Sequence, residues 1–424
     1  MLTEKQKNIG RRNFIKMVSA LPAVGLFDYS AVDMEPVKVA LIGAGGIGLD
    51  HIKKFDPQYI QVKAVCDIRP GARDKALHLI KKEHDVKADA YADYKDVLNR
   101  DDIEAVIIGT PLWTHAPIAV DALNAGKHVF CEKMMAKTVE QCQAMIDAAS
   151  KNKRILQIGY QRFYSTMYNQ ALQIIRQGLL GDIHYIRTNW HLSGSRLRSI
   201  EGRDKRDMEK GLLSPTKYGY QDLEHLINWR MYWKYSEGYA AELLSHQIAA
   251  TNWIYDAEPE SVMGMGGTYI YKNDREIEDH FYCTFGYPNG RTVTSSMILS
   301  NDFEPTGEVI MGTEGIIYLI GSYQAYLFLR QGKSNWRYAE IDVLANELST
   351  NKNSKIDVND LPYNEVKPVN YTNNDSYKTE FRGFANAIRK AGPVLSGGRE
   401  GMAAAKAIIA ANQSIKTRQA VDIN

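Results

Sequence analysis

The sequence predicts an α/β chain: an N-terminal doubly wound parallel sheet, then a C-terminal α+β domain built on a large, open, mainly antiparallel sheet. Three observations carry that prediction. The nearly continuous apolar run Val37-Lys38-Val39-Ala40-Leu41-Ile42 leads straight into Gly43-Ala44-Gly45-Gly46-Ile47-Gly48, as a strand covered on both faces enters a strand-to-helix turn. Strand-like and helix-like segments then alternate as far as Gly159, the pattern of successive crossover units. Beyond Ile183 most strand-like segments follow one another without intervening helices, which suits antiparallel pairing.

The first domain reads in order as strand Val37 to Ile42, helix Leu49 to Phe55, strand Ile60 to Cys66 and helices Gly71 to Glu83 and Asp93 to Asn99. Strand Ala105 to Gly109, helix Pro117 to Ala125, strand His128 to Cys131, helix Val139 to Lys151 and strand Arg154 to Gly159 complete it. The glycines occupy the turn after the first strand, the context of a dinucleotide site. Gly43 permits the tight turn, Gly45 with Gly46 and Ile47 presents backbone N–H groups to a diphosphate, and Gly48 lets helix and strand pack closely. Asp67 closes the second strand nineteen residues after Gly48. There a carboxylate accepts from a ribose 2′-hydroxyl and repels a 2′-phosphate, so NAD is expected over NADP, with Arg69 placed to soften the preference. Ligands of such sheets gather at the carboxyl ends of the strands. Thr110-Pro111, Glu132-Lys133 and Tyr160-Gln161-Arg162 all fall there.

With 424 residues, more than one core is expected, because single cores stop growing near roughly 250 to 300 residues. The chain divides into a leader over 1–35, a Rossmann domain over 36–160 and a second domain over 161–424. In the leader, Arg11-Arg12-Asn13-Phe14-Ile15-Lys16 precedes the mildly apolar Met17 to Leu26, which reads as a twin-arginine export signal and predicts a periplasmic location. A net charge of +2 on 52 basic and 50 acidic residues gives no bias toward nucleic acid. No apolar stretch has the length of a membrane span. Cys66, Cys131, Cys142 and Cys283 form no CxxC pair, so neither a metal site nor a disulfide framework is expected.

The second domain opens with helix Met167 to Gln177 and strand Ile183 to His191. Ser193 to Asp222 is rich in both charges and lacks periodicity, hence an insertion or lid. Asn228-Trp229-Arg230-Met231-Tyr232-Trp233 either supplies aromatic faces for a ligand's ring and polar groups for its hydroxyls or forms an aromatic seam of the core. Ala240 to Tyr255 has a helical apolar pattern, with Glu242 and His246 four apart on one side. A carboxylate there would raise the imidazole's pKa and orient it as a proton acceptor. Strands follow over Ser261 to Tyr271, His280 to Tyr287, Thr292 to Leu299, Glu308 to Gly312, Gly315 to Ile320 and Ala325 to Leu329. A surface loop, Asn346 to Pro368, and two packing helices, Ser376 to Ala391 and Glu400 to Gln413, end the chain.

From about residue 36 onward these features resemble the glucose-fructose oxidoreductase and inositol dehydrogenase (Gfo/Idh/MocA) family. The resemblance rests on Gly43-x-Gly45-x-x-Gly48, on Thr110-Pro111 with His115, on Gly126-Lys127-His128-Val129 leading into Glu132-Lys133, and on the later acid-x-x-x-His. It implies Lys133, Glu242 and His246 as catalytic groups. Thr110, Pro111, His115, Glu132, Lys133 and Gln161 are expected beside the cofactor, and Tyr160, Arg162, Trp190, Trp229, Arg230, Tyr232 and His246 beside the substrate. Met134 stands where the family usually has proline, and Glu242 where it more often has aspartate. The implied activity is hydride transfer between a nicotinamide and a secondary alcohol of a sugar or cyclitol, in a homo-oligomer joined through the C-terminal sheet. Two alternatives are an NAD-dependent glycosidase working by transient oxidation and elimination, and a non-catalytic dinucleotide-binding protein. Retention of Lys133, Glu242 and His246 together argues against the second.

Overall fold

The computed structural model describes residues 35–272, 275–321, 324–331, 335–340, 375–390 and 392–423. The leader up to residue 34 and the loop Asn346 to Pro368 lie outside these residues.

Six parallel strands form the first sheet: β1 (Val37–Ile42), β2 (Ile60–Cys66), β3 (Asp89–Tyr91), β4 (Ala105–Ile108), β5 (His128–Cys131) and β6 (Leu156–Ile158), in the order β3-β2-β1-β4-β5-β6. The chain winds outward from β1 in both directions, so a crevice opens above β1 and β4, where the order reverses. Apolar residues over nearly all of β1, β4 and β5 are buried because helices cover both faces. One face carries α1 (Gly46–Lys54), α2 (Pro70–His84) and, from the far end of the chain, α10 (Ser376–Ile388), whose Phe381 and Phe384 join Phe55 and Phe130 in a buried aromatic cluster. On the other face lie α3 (Tyr94–Leu98), α4 (His115–Asn124) and α5 (Val139–Asn152).

The second sheet has nine strands, ordered β14-β13-β12-β11-β7-β10-β9-β8-β15. They are β7 (Ile183–His191), β8 (Ser261–Gly267), β9 (His280–Tyr287), β10 (Arg291–Ile298), β11 (Thr306–Gly312), β12 (Gly315–Ile320), β13 (Gln324–Gln331), β14 (Asn335–Glu340) and β15 (Val421–Asp422). All neighbours run antiparallel except β7 and β10. The remaining helices are α6 (Thr166–Arg176), α7 (Gly202–Glu209), α8 (Leu223–Ile227), α9 (Ser245–Tyr255) and α11 (Gly398–Thr417). Helix α11 packs against β8, α9 and α5 and so bridges the two sheets.

Beside β14, β15, α7 and α8, short elements that were not expected, three others differ from expectation. β3 was not foreseen, because Asp89 and Ala90 are exposed and three edge residues carry no apolar pattern. The strand expected over Ser261 to Tyr271 stops at Gly267; the Asp279 carboxylate accepts from the N–H groups of Tyr269, Ile270 and Tyr271 and holds that stretch as a turn. The helix expected from Ala240 begins as a π turn, Ala240–Leu244, before α9, a widening often found at functional sites.

Candidate active site

A cleft of about 1030 Å³ runs from the glycine turn along the ends of β1 and β4 to the face of the second sheet. Its outer end is made by backbone. Gly43 has φ +95°, and a Cβ there would stand 2.6 Å from the Gly109 carbonyl carbon. A Cβ on Gly48 would stand 2.1 Å from the Gly43 carbonyl oxygen, whereas one on Gly45 would meet open space. Gly43 and Gly48 therefore close the turn on itself, and Gly45 keeps its outer side clear for a ligand. Asp67 accepts from Ala44 N–H (2.8 Å) and from Arg69 N–H (2.8 Å), which locks β2's end to the turn. Burial nevertheless pushes its carboxyl pKa up.

Arg69 is not free to soften the Asp67 preference. Its guanidinium forms a two-pronged pair with Asp204 of α7, at 3.1 and 2.7 Å, and Asp204 is 1% exposed. Gly43, Gly45, Gly46, Ile47, Thr110 and Pro111 line the cleft with Asp67 and Arg69; Gly48 lies behind them.

The inner end is made by charged side chains. Lys133 follows β5, and its Nζ donates to the Glu242 carbonyl oxygen (2.8 Å) and lies 4.0 Å from the Glu242 carboxylate. Arg230 donates from Nε to the same carboxylate (2.8 Å) and stacks 4.2 Å from the Trp229 ring centre. Burial opposes ionisation of Glu242, yet Arg230 and Lys133 outweigh it and hold the pKa at about 2. Glu242 thus neutralises two cations and does not serve His246. The expectation that it raises the imidazole's pKa is overturned: burial first, then the Lys133 and Arg162 charges, lower it well below the ordinary value. His246 lines the cleft as a neutral ring, its centroid 5.6 Å from that of Trp190.

Arg162 and Trp190 also border the cleft, and Arg162 is anchored by the fully buried Glu308 (2.5 Å), which accepts from Tyr168 as well. Tyr160 and Tyr232, expected at the substrate, do not line it. Tyr160 is 1% exposed and packs edge-on against His246 at 5.8 Å, so it shapes the base from behind. Tyr232 is stacked on His225 at 4.0 Å, away from the opening. Among the expected cofactor contacts, Glu132 borders the cleft but holds His51 (2.9 Å). Burial raises its pKa, and the His51 bond with the Lys133 charge more than reverses that. His115 also borders the cleft, and its ring nitrogens face the carbonyls of Thr110 (2.9 Å) and Met134 (3.0 Å), bracing the two loops beside it. Gln161 lines the cleft and donates to Tyr377 (3.1 Å).

Sequence reasoning missed Tyr377, Arg198, Glu201, Tyr218 and Tyr220, all of which line the cleft. No local motif marks them. Each arrives by tertiary folding, four of them on the segment Ser193 to Asp222. That segment crosses from β7 to the first domain as a strap: Lys75 pairs with Glu201 (2.7 Å), Arg203 with Asp74 (2.5 Å), and Trp113 donates to Tyr220 (3.2 Å).

Two family models match the chain. The oxidoreductase family with NAD-binding Rossmann fold covers residues 37–160, and the C-terminal alpha/beta domain of the same Gfo/Idh/MocA family covers 173–423. An inositol 2-dehydrogenase from Salmonella paratyphi B is 42% identical over 148 residues, 34% of this chain and 43% of the relative. An alpha-N-acetylgalactosaminidase from Shewanella oneidensis is 33% identical over 207 residues, 42% of this chain and 44% of the relative. The chain thus matches less than half the length of these curated relatives. A levoglucosan dehydrogenase solved with NADH and levoglucosan shares the fold, with a TM-score of 0.68 at 20% identity, over 92% of this chain and 99% of that one.

Proposed function

From the premise that the chain belongs to the Gfo/Idh/MocA oxidoreductase family, we propose that it transfers hydride reversibly between NAD and a secondary alcohol of a sugar, sugar derivative or cyclitol. The observation that carries the reading is the meeting of Lys133, Glu242, Arg230, His246 and Trp190 at the inner end of the cleft whose outer end is the glycine turn. Apolar ring faces rest on Trp190 and Trp229, and hydroxyls meet Arg162 and Arg230. NAD, when bound, supplies the hydride acceptor. His246 takes the hydroxyl proton; its Nδ1 is sealed from solvent, which leaves Nε2 to meet the substrate. Neutral at pH 7, it is ready to accept. The Lys133 charge that depresses its basicity also stabilises the alkoxide, so the hydroxyl's own proton affinity falls in step. Glu242 keeps that lysine aimed, through its carbonyl and its carboxylate.

A second reading draws on the Shewanella relative: a glycosidase in which a hydroxyl would be oxidised to a ketone with NAD as acceptor. The neighbouring C–H bond, thus acidified, would lose its proton as the aglycone is eliminated, water would add to the resulting alkene, and the hydride would return to the ketone, regenerating NAD. One experiment separates the two. The nucleotide is identified after denaturation, and the native protein is incubated with sugars, polyols and aryl glycosides. Net formation of NADH supports the dehydrogenase, aglycone release without net redox supports the glycosidase, and neither outcome sinks both.

Two further readings belong with this proposal. The Arg11-Arg12 segment supports twin-arginine export, checked by periplasmic fractionation of the chain and its Arg11→Lys/Arg12→Lys variant. On the outer face of the second sheet the exposed Met263, Met265 and Tyr282, with Met265 and Tyr282 paired across β8 and β9, support a homo-oligomer, checked by sedimentation. Among the described residues no helix is long and apolar enough to cross a membrane.

A further inference from the structure

We propose that Arg198, delivered by the strap from the second domain, clamps the dinucleotide diphosphate against the start of α1. The inference rests on the dinucleotide site and adds a residue that no motif assigns to it.

The guanidinium of Arg198 lies against the first residue of α1: its two terminal nitrogens stand 3.4 and 3.6 Å from where a Cβ on Gly46 would be. That is a cation placed on the positive end of a helix dipole, beside unpaired N–H groups. Its charged neighbours sharpen the oddity. Arg230, Arg196 and Arg69 are like charges, and the one acid among them, Glu242, is taken by Arg230 and Lys133. No carboxylate among the described residues pairs with Arg198. A cation so placed is stabilised by an anion shared with the helix terminus, and a diphosphate is the anion that a glycine turn accepts.

The side chain is exposed, but its backbone is fixed. Arg198 N–H donates to Asn228 Oδ1 (2.8 Å), and Asn228 Nδ2 donates back to the Arg198 carbonyl (3.0 Å), so a buried asparagine fixes the backbone on both sides of the side chain. Asn228, expected to meet substrate hydroxyls, is instead spent on this anchor. Beyond Arg198 the Arg69–Asp204, Lys75–Glu201 and Arg203–Asp74 pairs fasten the strap to the first domain. The guanidinium is thereby held against Gly46, at the start of α1.

The test compares ligands with and without the diphosphate. Binding of ADP-ribose and of adenosine to the full chain is measured by calorimetry and ligand-observed NMR, for the unaltered protein and for Arg198→Gln, whose thermal melt is recorded alongside. The expected result is a loss of about tenfold to a hundredfold in ADP-ribose affinity, with adenosine affinity unchanged. The salt dependence of ADP-ribose binding should also weaken, and Arg198→Lys should keep most of the affinity. Equal ADP-ribose affinity in Arg198→Gln overturns the proposal. So does a parallel loss for adenosine, which would make Arg198 scaffolding. Failure of the unaltered protein to bind ADP-ribose would instead strike the dinucleotide site itself.

Discussion

The two ends of the cleft are built by opposite means. The centre of the outer end comes from one short stretch of chain, Gly43 to Asp67, and works through backbone: a turn closed by glycines and an aspartate bonded to the turn's own N–H. The inner end works through side chains drawn together over distance, as where Lys133 donates to a carbonyl 109 residues away. The closed turn forgives no added atom at Gly43 or Gly48, whereas a side-chain cluster tolerates changes in packing but not in charge. Variants at the two ends should therefore fail differently, the inner ones in turnover and the outer ones in nucleotide binding.

The largest effect is expected at Lys133. Lys133→Met removes the cation that meets the developing alkoxide, and kcat should fall about 1000-fold while NAD affinity stays within a few-fold. Steady-state kinetics with calorimetric NAD titration checks this; a loss confined to NAD binding would erase the proposed division of labour. At the outer end, Gly43→Ala places a Cβ 2.6 Å from Gly109 at φ +95°. It should cost about 3 kcal/mol of stability and about 100-fold in NAD affinity. A variant that binds NAD normally would mean that the turn is not the nucleotide site.

The same contrast explains what was legible in the sequence. A contiguous site leaves a contiguous signature, so Gly43, Gly45, Gly48 and Asp67 could be read from spacing alone, as could the alternation that builds the first sheet. At the inner end the sequence named Lys133, Glu242 and His246 but misjudged their coupling: helical spacing suggests that Glu242 serves His246, while the competing cations Arg230 and Lys133 come from elsewhere. Tyr160 and Tyr232 failed as substrate contacts because an aromatic beside a site looks the same in sequence whether it faces the opening or backs it. Arg198 and Tyr377 carry no local mark at all, since their placement depends on the strap and on α10 folding back.

A smaller effect tests the charge balance of the inner end through stability. His246 has its pKa lowered in the folded protein from an ordinary value of 6.5. Its contribution is therefore intact above pH 6.5 and is lost as pH falls, at a slope of up to about 1.4 kcal/mol per unit. Glu242 does not disturb this window, because its stabilisation is complete above its ordinary 4.5 and is lost as pH falls through about 2. His115, His128 and His191 are also lowered, so urea unfolding at pH 7 and pH 5 must be compared between the unaltered chain and His246→Asn. The variant should lose less stability on acidification. Identical losses would mean that His246 is not held neutral by its surroundings.

The smallest effect probes the outer end's choice of nucleotide. Asp67 lies at the cleft with its carboxylate on Ala44 and Arg69 N–H, and Asp67→Ala removes both the ribose acceptor and the repulsion of a 2′-phosphate. The NAD-over-NADP preference should shrink about tenfold, chiefly through weaker NAD binding. It should not invert, because the cation that a 2′-phosphate needs is held elsewhere, Arg69 being forked onto the buried Asp204. Adding Asp204→Asn releases that guanidinium, so the double variant should gain NADP affinity beyond the single one. Competitive titration of both nucleotides decides it. If Asp67→Ala alone prefers NADP, Arg69 is not restrained by the strap, and the contact between the two domains at this end is weaker than its geometry implies.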